Sequence, residues 1–103
     1  MARLIWSEPA LADLETIADY IALDKPDAAA RFVQQVFARV ERLIQFPKSG
    51  GRVPELPNLP YRQLVVPPSR IFYRMEGRDI LIVFIMRGEQ RFRGKHLIER
   101  DAE

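Results

Sequence analysis

Leu11, Leu14, Ile17, Ala18, Ile21 and Ala22 recur three and four residues apart, with Asp13, Glu15 and Asp19 on the opposite side, and that period predicts an amphipathic helix over residues 9–23. Ser7 stands where a cap is wanted, while Glu8 and Pro9 suit a first turn by charge and fixed φ. Residues 2–6, β-branched and aromatic with partial alternation, read as a short strand leading in. A second stripe, Ala29, Phe32, Val33, Val36, Phe37, Val40, Leu43 and Ile44, follows the start signal Asp24-Lys25-Pro26 and stops near Phe46-Pro47. Two helices joined by so short a connection lie antiparallel, so residues 9–46 form a hairpin whose apolar faces need another layer to cover them.

From Lys48 to Pro60 the pattern breaks: Ser49-Gly50-Gly51 and three prolines exclude a long helix or ladder, and a loop of about a dozen residues is expected. Strands are predicted over residues 61–66, 70–75 and 79–86, the last two joined by a tight hairpin at Glu76-Gly77-Arg78. In the second of these, Ile71, Tyr73 and Met75 alternate with Phe72 and Arg74, whereas residues 80–85 are apolar on both sides, as in a central strand. The expected fold is α+β, in the order β-α-α-β-β-β. A helical hairpin packs on one face of a twisted, mainly antiparallel sheet, and arginines project from the opposite face or the strand ends. Residues 98–103 read as a frayed tail.

The 103 residues make one domain, 1–103, and the 48% apolar composition is enough to fill a core of that size. The absence of cysteine excludes disulfides, a thiolate nucleophile and sulfur-ligated zinc, and a single histidine, His96, excludes paired-histidine metal sites. No cofactor or metal is therefore expected. The longest apolar run, residues 80–86, is far short of the roughly 18 residues of a membrane span, and the opening residues lack a signal peptide's layout; a soluble cytoplasmic protein is expected. The net charge of +2 conceals an asymmetry. Residues 1–47 carry five Lys/Arg against seven Asp/Glu, net −2, and residues 48–97 carry ten against four, net +6. Thirteen of the sixteen cations are arginine, whose planar fork suits phosphate and carboxylate, so the later half favours an anionic partner, nucleic acid or acidic protein.

Residues 6–17, 29–44, 46–52, 70–74 and 80–88, in this order and spacing, resemble the ParE/RelE superfamily of toxins from bacterial type II toxin-antitoxin modules, also called plasmid stabilisation proteins, and sit closer to the ParE-like branch. The resemblance spans nearly the whole chain and implies the same β-α-α-β-β-β fold. It also implies one of two activities: ParE-like members bind and block DNA gyrase, and RelE-like members cut messenger RNA on the ribosome. The nuclease needs a base for the 2′-hydroxyl, cations on the phosphate and an acid for the leaving oxygen. Arg62 and Arg87 match places where nuclease members carry functional arginines, and Arg52, Arg74 and Lys48 could supplement them. The proton carriers left are Glu89, Glu55 and His96, none with a clear place in the family pattern.

The expectation is therefore a non-catalytic gyrase inhibitor neutralised by a cognate antitoxin, with Arg52, Arg62, Arg74, Arg87 and Arg91 as target- or phosphate-binding residues. The alternatives are a ribosome-dependent mRNA endonuclease and an inactive member that only binds its antitoxin. Where many ParE-like sequences have His before the glycine that ends the last strand, this chain has Arg87-Gly88. Leu59, Tyr61 and Leu64 are expected to leave apolar surface for the antitoxin, whose acidic segment would meet the basic half. The plainer readings are that Arg62, Arg74, Arg78 and Arg91 form a solvated sheet face, that His96 is an exposed or tail-packed imidazole, that Tyr73 is a core or sheet-surface aromatic, and that Trp6 is core.

Overall fold

The computed structural model describes residues 2–88 and 90–102. The chain runs β1 (Leu4–Trp6), α1 (Glu8–Ala22), α2 (Pro26–Glu41) with a closing 3₁₀ turn (Arg42–Ile44), β2 (Gly51–Arg52), β3 (Arg62–Val66), β4 (Ser69–Glu76), β5 (Asp79–Arg87) and α3 (Gly94–Asp101). The five strands form one sheet in the order β1-β5-β4-β3-β2. β1 is parallel to β5, and the other neighbours are antiparallel. The α+β arrangement of hairpin and sheet follows the sequence expectation, with a two-residue strand inside the loop and a third helix added to it.

The local causes are those read from the residues. Ser7 accepts a hydrogen bond from the amide of Ala10 at 3.1 Å, and proline stands in the first turn of both long helices. Leu14 and Ile17 of α1 and Phe32, Val36 and Val40 of α2 bury against Leu64, Ile71, Tyr73, Ile80, Ile82 and Ile85 of the sheet. Between β4 and β5 the register shifts, Phe72 facing Phe84 but Tyr73 facing Ile82, so Val83 is an extra residue. Ile82 and Ile85 consequently both face the helices, and Val83 faces the other side.

That other side carries Arg70 and Arg74, as the sequence expected of it, and also a covering layer that the sequence did not predict. Val53, Tyr61, Phe72, Val83, Met86 and Leu97 form a second buried cluster, roofed by the segment between β2 and β3 and by α3. Phe92 stacks on Phe72 with centroids 4.9 Å apart. Because β5 is covered on both faces, residues 80–85 are apolar on both.

The frayed tail is likewise corrected. Arg100 and Asp101 lie in α3, which is held by the fully buried Leu97 and by two ion pairs of 2.7 Å, Arg100 with Asp13 of α1 and Asp101 with Arg74 of β4. A terminus tied to two other elements at once does not fray.

Candidate functional site

The candidate arginines fall into separate places. Arg62 begins β3, and its Nη1 donates to the carbonyl of Gly50 at 2.8 Å and to that of Lys48 at 3.3 Å. Arg52 in β2 pairs directly opposite it. These residues, with Lys48, Leu59, Tyr61 and Met75, line a cleft of about 220 Å³. The loop that carries Lys48 and Arg52 is fixed from below by Tyr73, a core residue of β4. Its hydroxyl donates to the Pro47 carbonyl and accepts from the Gly50 amide, each at 2.9 Å. Burial pushes the Tyr73 phenol above its ordinary value, which keeps the donor in place.

Arg87 ends β5, five residues beyond Ile82, whereas Arg62 is level with Ile82 through Tyr73. Because Val83 is an extra residue, the register offset is four residues, Arg87 standing level with Ser69 and Val66, or ~13 Å along the strands, and the two guanidiniums are held in different clefts. The Arg87 guanidinium lies 4.0 Å from the centroid of the Tyr20 ring of α1. It lines a cleft of about 420 Å³ with Asp13, Tyr20, Gln90, His96 and Arg100. Here Asp13, assigned by periodicity to the outer face of α1, reaches across to the sheet. Its Oδ2 accepts from the Ile85 amide at 3.1 Å and from Arg100 at 2.7 Å. His96 is exposed on the rim of this cleft and of a neighbouring one that it shares with Arg91 and Arg93.

The remaining candidates are committed elsewhere. Arg74 projects to the second cluster's side and pairs with Asp101 at 2.7 Å, which raises its pKa further, and more loosely with Glu76 at 3.8 Å. Glu55 forms a two-point pair with Arg70 at 3.0 and 3.2 Å, and the hydrogen bonds from Arg70 hold its carboxyl below the usual range. An acid held ionised in that way is poorly suited to donate a proton. Glu89 lies outside the described residues.

The apolar residues assigned to the antitoxin are also placed differently. Leu64 is buried under the helices because β3 lies between β2 and β4 with that side chain turned inward. Tyr61 is buried in the second cluster and donates to Asp101 at 2.7 Å; burial first, and then this bond, push its phenol up to about 12. Leu59 packs half-buried against the same cluster. Among the described residues, the large apolar side chains that do face solvent are Leu11 and Tyr20 on α1, Leu23 at its C-cap, Phe37 on α2, and Phe46 after it, together with Ile5, Val65 and Ile98.

Sequence reasoning missed Asp13, Tyr20 and Arg100. The available signal was the i, i+3, i+4 spacing of Leu97, Arg100 and Asp101, which marks a helix with one inward face. Among the described residues no group of three or more His, Cys, Asp or Glu side chains could hold a metal ion, and no helix is long and apolar enough to cross a membrane.

A hairpin of helices on a mixed five-stranded sheet is the fold of a small toxin of the ParE type. The solved structure of a chromosomal ParDE toxin-antitoxin system from P. aeruginosa matches with a TM-score of 0.70 and 29% identity, over 86% of this chain and 98% of that one. The family model for the ParE toxin of the type II toxin-antitoxin system parDE matches residues 4–92. The chain belongs to that family. It is 37% identical over 94 residues to Y4kP of Sinorhizobium fredii, covering 87% of this chain and 92% of that one. It is also 34% identical over 79 residues to the toxin RelE2 of Caulobacter vibrioides, covering 75% and 85%.

Proposed function

We propose that the protein is the toxin of a type II toxin-antitoxin module that arrests growth without cutting RNA, by binding DNA gyrase in the bacterial cytoplasm, and that a cognate antitoxin neutralises it. The observation that carries this reading is the separation of Arg62 from Arg87 by four residues of strand register, with their guanidiniums in different clefts. A nuclease using both would need them on one scissile phosphate, where developing charge must be met at contact distance. Arg74 and Glu55, two further members of the nuclease set, are engaged in ion pairs. Exposed cations such as Arg52 and Arg91 remain available to an anionic target surface.

The endonuclease is the second reading, and one observation favours it: His96 lines the same cleft as Arg87, which would place a proton carrier beside a phosphate-binding cation. Inducible expression without antitoxin separates the two. Growth arrest with relaxed or broken plasmid DNA and intact transcripts is the expected result, and it should persist in His96→Ala. Arrest with codon-positioned RNA ends that His96→Ala or Arg87→Ala abolishes would establish the nuclease instead. A chain that causes no arrest but is retained by its antitoxin would be an inactive binder.

A further inference from the structure

The sheet ends on one side at β1, and the backbone groups along that end divide by direction. The Arg3 carbonyl accepts from the Ile80 amide at 2.8 Å and the Ser7 amide donates to the Ile82 carbonyl at 3.1 Å, so residues 3, 5 and 7 turn their polar groups toward β5. Leu4 and Trp6 therefore turn theirs outward, and among the described residues no hydrogen bond reaches them. The other strand edges are closed or guarded. Where β5 runs on without β1 beside it, Ser7 Oγ donates to the Val83 carbonyl at 3.4 Å, Asp13 accepts from the Ile85 amide at 3.1 Å and Gln90 accepts from the Arg87 amide at 3.0 Å. The far edge, β2, is two residues long and carries Arg52, and short charged edges resist pairing. β1 carries Arg3, but that charge is neutralised by Asp79 through bonds of 3.2 and 2.8 Å. The rest of the strand is apolar on both faces: Ile5 is 38% exposed on one, and on the other Trp6 lies against Phe37, itself 43% exposed, with ring centroids 5.2 Å apart.

We propose that β1 pairs antiparallel with β1 of a second copy of this chain, across a two-fold axis at Ile5, so that two five-stranded sheets become one. The edge is complementary to itself. With the axis at Ile5, Leu4 stands opposite Trp6 of the second copy, and every outward amide on one strand meets an outward carbonyl on the other. Ile5 then meets Ile5 of the second copy in a pair without main-chain bonds, where Cα atoms stand ~4.5 Å apart. Arg3 lies beside Ser7 and Glu8 of the second copy, an exposed cation next to an exposed acid, and the match occurs twice by symmetry. Both helical hairpins fall on the same face of the joined sheet, which brings the two Trp6–Phe37 pairs alongside each other. A strand from another protein could meet the same backbone groups, but a second copy supplies the apolar match at Ile5 and the acid beside Arg3 at one register. The contact is small and belongs to the weak class of interface, with half the chains paired at about 50 μM. Nothing in this pairing depends on the toxin's target.

Sedimentation of the full chain alone over a range of concentrations is expected to show a reversible dimer. Ile5→Lys and Ile5→Glu set like charges opposite each other, so each should weaken self-association at least tenfold, by a rough estimate, and an equal mixture of the two should restore it. The exposed position of Ile5 leaves the melting temperature of each variant near the parent's. Because the chain has no cysteine, Ile5→Cys gives a second readout: mild oxidation should link two copies, since the expected Cα separation lies in the range a disulfide spans, whereas the exposed Val65→Cys on β3 should stay unlinked. A chain that remains monomeric up to about 1 mM overturns the proposal. So do dimers that persist in Ile5→Lys and fail to link through Ile5→Cys, because they place the contact elsewhere. Leu4 and Trp6 amides that become protected from hydrogen exchange only when antitoxin is added to a monomer would give the edge to that partner and overturn it as well.

Discussion

Gly50 shows what a single residue decides. A Cβ there would lie 2.5 Å from the Tyr73 hydroxyl and 2.8 Å from the Gln63 carbonyl, and backbone cannot step aside as a flexible side chain can. Gly50→Ala is therefore expected to cost about 2 kcal/mol by urea denaturation, while Gly51→Ala, whose Cβ meets nothing within 4 Å, should be close to neutral. Tyr61 gives a pH signature with a definite sign. Its folded phenol holds the proton up to about 12, against an ordinary value of 10.0. Its contribution is thus whole below pH 10 and declines as pH rises toward 12, because over that window the unfolded chain binds fewer protons than the folded one. Tyr61→Phe should cost about 1 kcal/mol at neutral pH and flatten the alkaline fall in the urea midpoint. Tyr73 was legible in the sequence as a core or sheet-surface aromatic, and it is core. Its role as a latch was not, since Pro47 and Gly50 reach its hydroxyl only once the loop has folded over the sheet edge.

At the scale of elements, the long helices and the three main strands were legible because each repeats its period over several turns or pairs, as the stripe from Leu11 to Ala22 does. β2 and α3 were not. Two residues, Gly51 and Arg52, carry no period at all, and α3 has eight residues of which Leu97 alone is fully buried, so its helicity depends on contacts made far away in the chain. The strongest of these, Arg100 with Asp13 and Asp101 with Arg74, join residues that no local pattern connects. The candidate site suffered the same limit. Arg62 and Arg87 were picked out by the family resemblance, but their distance follows from register, which only pairing fixes. Leu97→Ala should cost about 3 kcal/mol, and a chain ended at Arg93 should bind a hydrophobic dye through the uncovered second cluster. Unchanged melting in either variant would mean that α3 is not part of the cooperative unit.

Over the whole molecule, the sheet separates two unequal cores, a large one under the helical hairpin and a smaller one under α3 and the loop before β3. The cations of residues 48–97 sit on the strands, their connections and the start of α3. The sheet itself is closed by its first strand. Leu4, Ile5 and Trp6 pair with Ile80, Leu81 and Ile82, and Arg3 bonds Asp79 across 76 positions of sequence. The fold is therefore sewn shut by a stitch between its beginning and a strand made late, and during synthesis the helical hairpin must wait with its apolar side unshielded. Ribosome-bound chains stalled before Asp79 should be cleaved in the hairpin by a brief protease pulse, and chains extended past residue 103 by a linker should resist it. A truncated message would then yield a chain that cannot close its sheet, because the strand that closes it is among the last made.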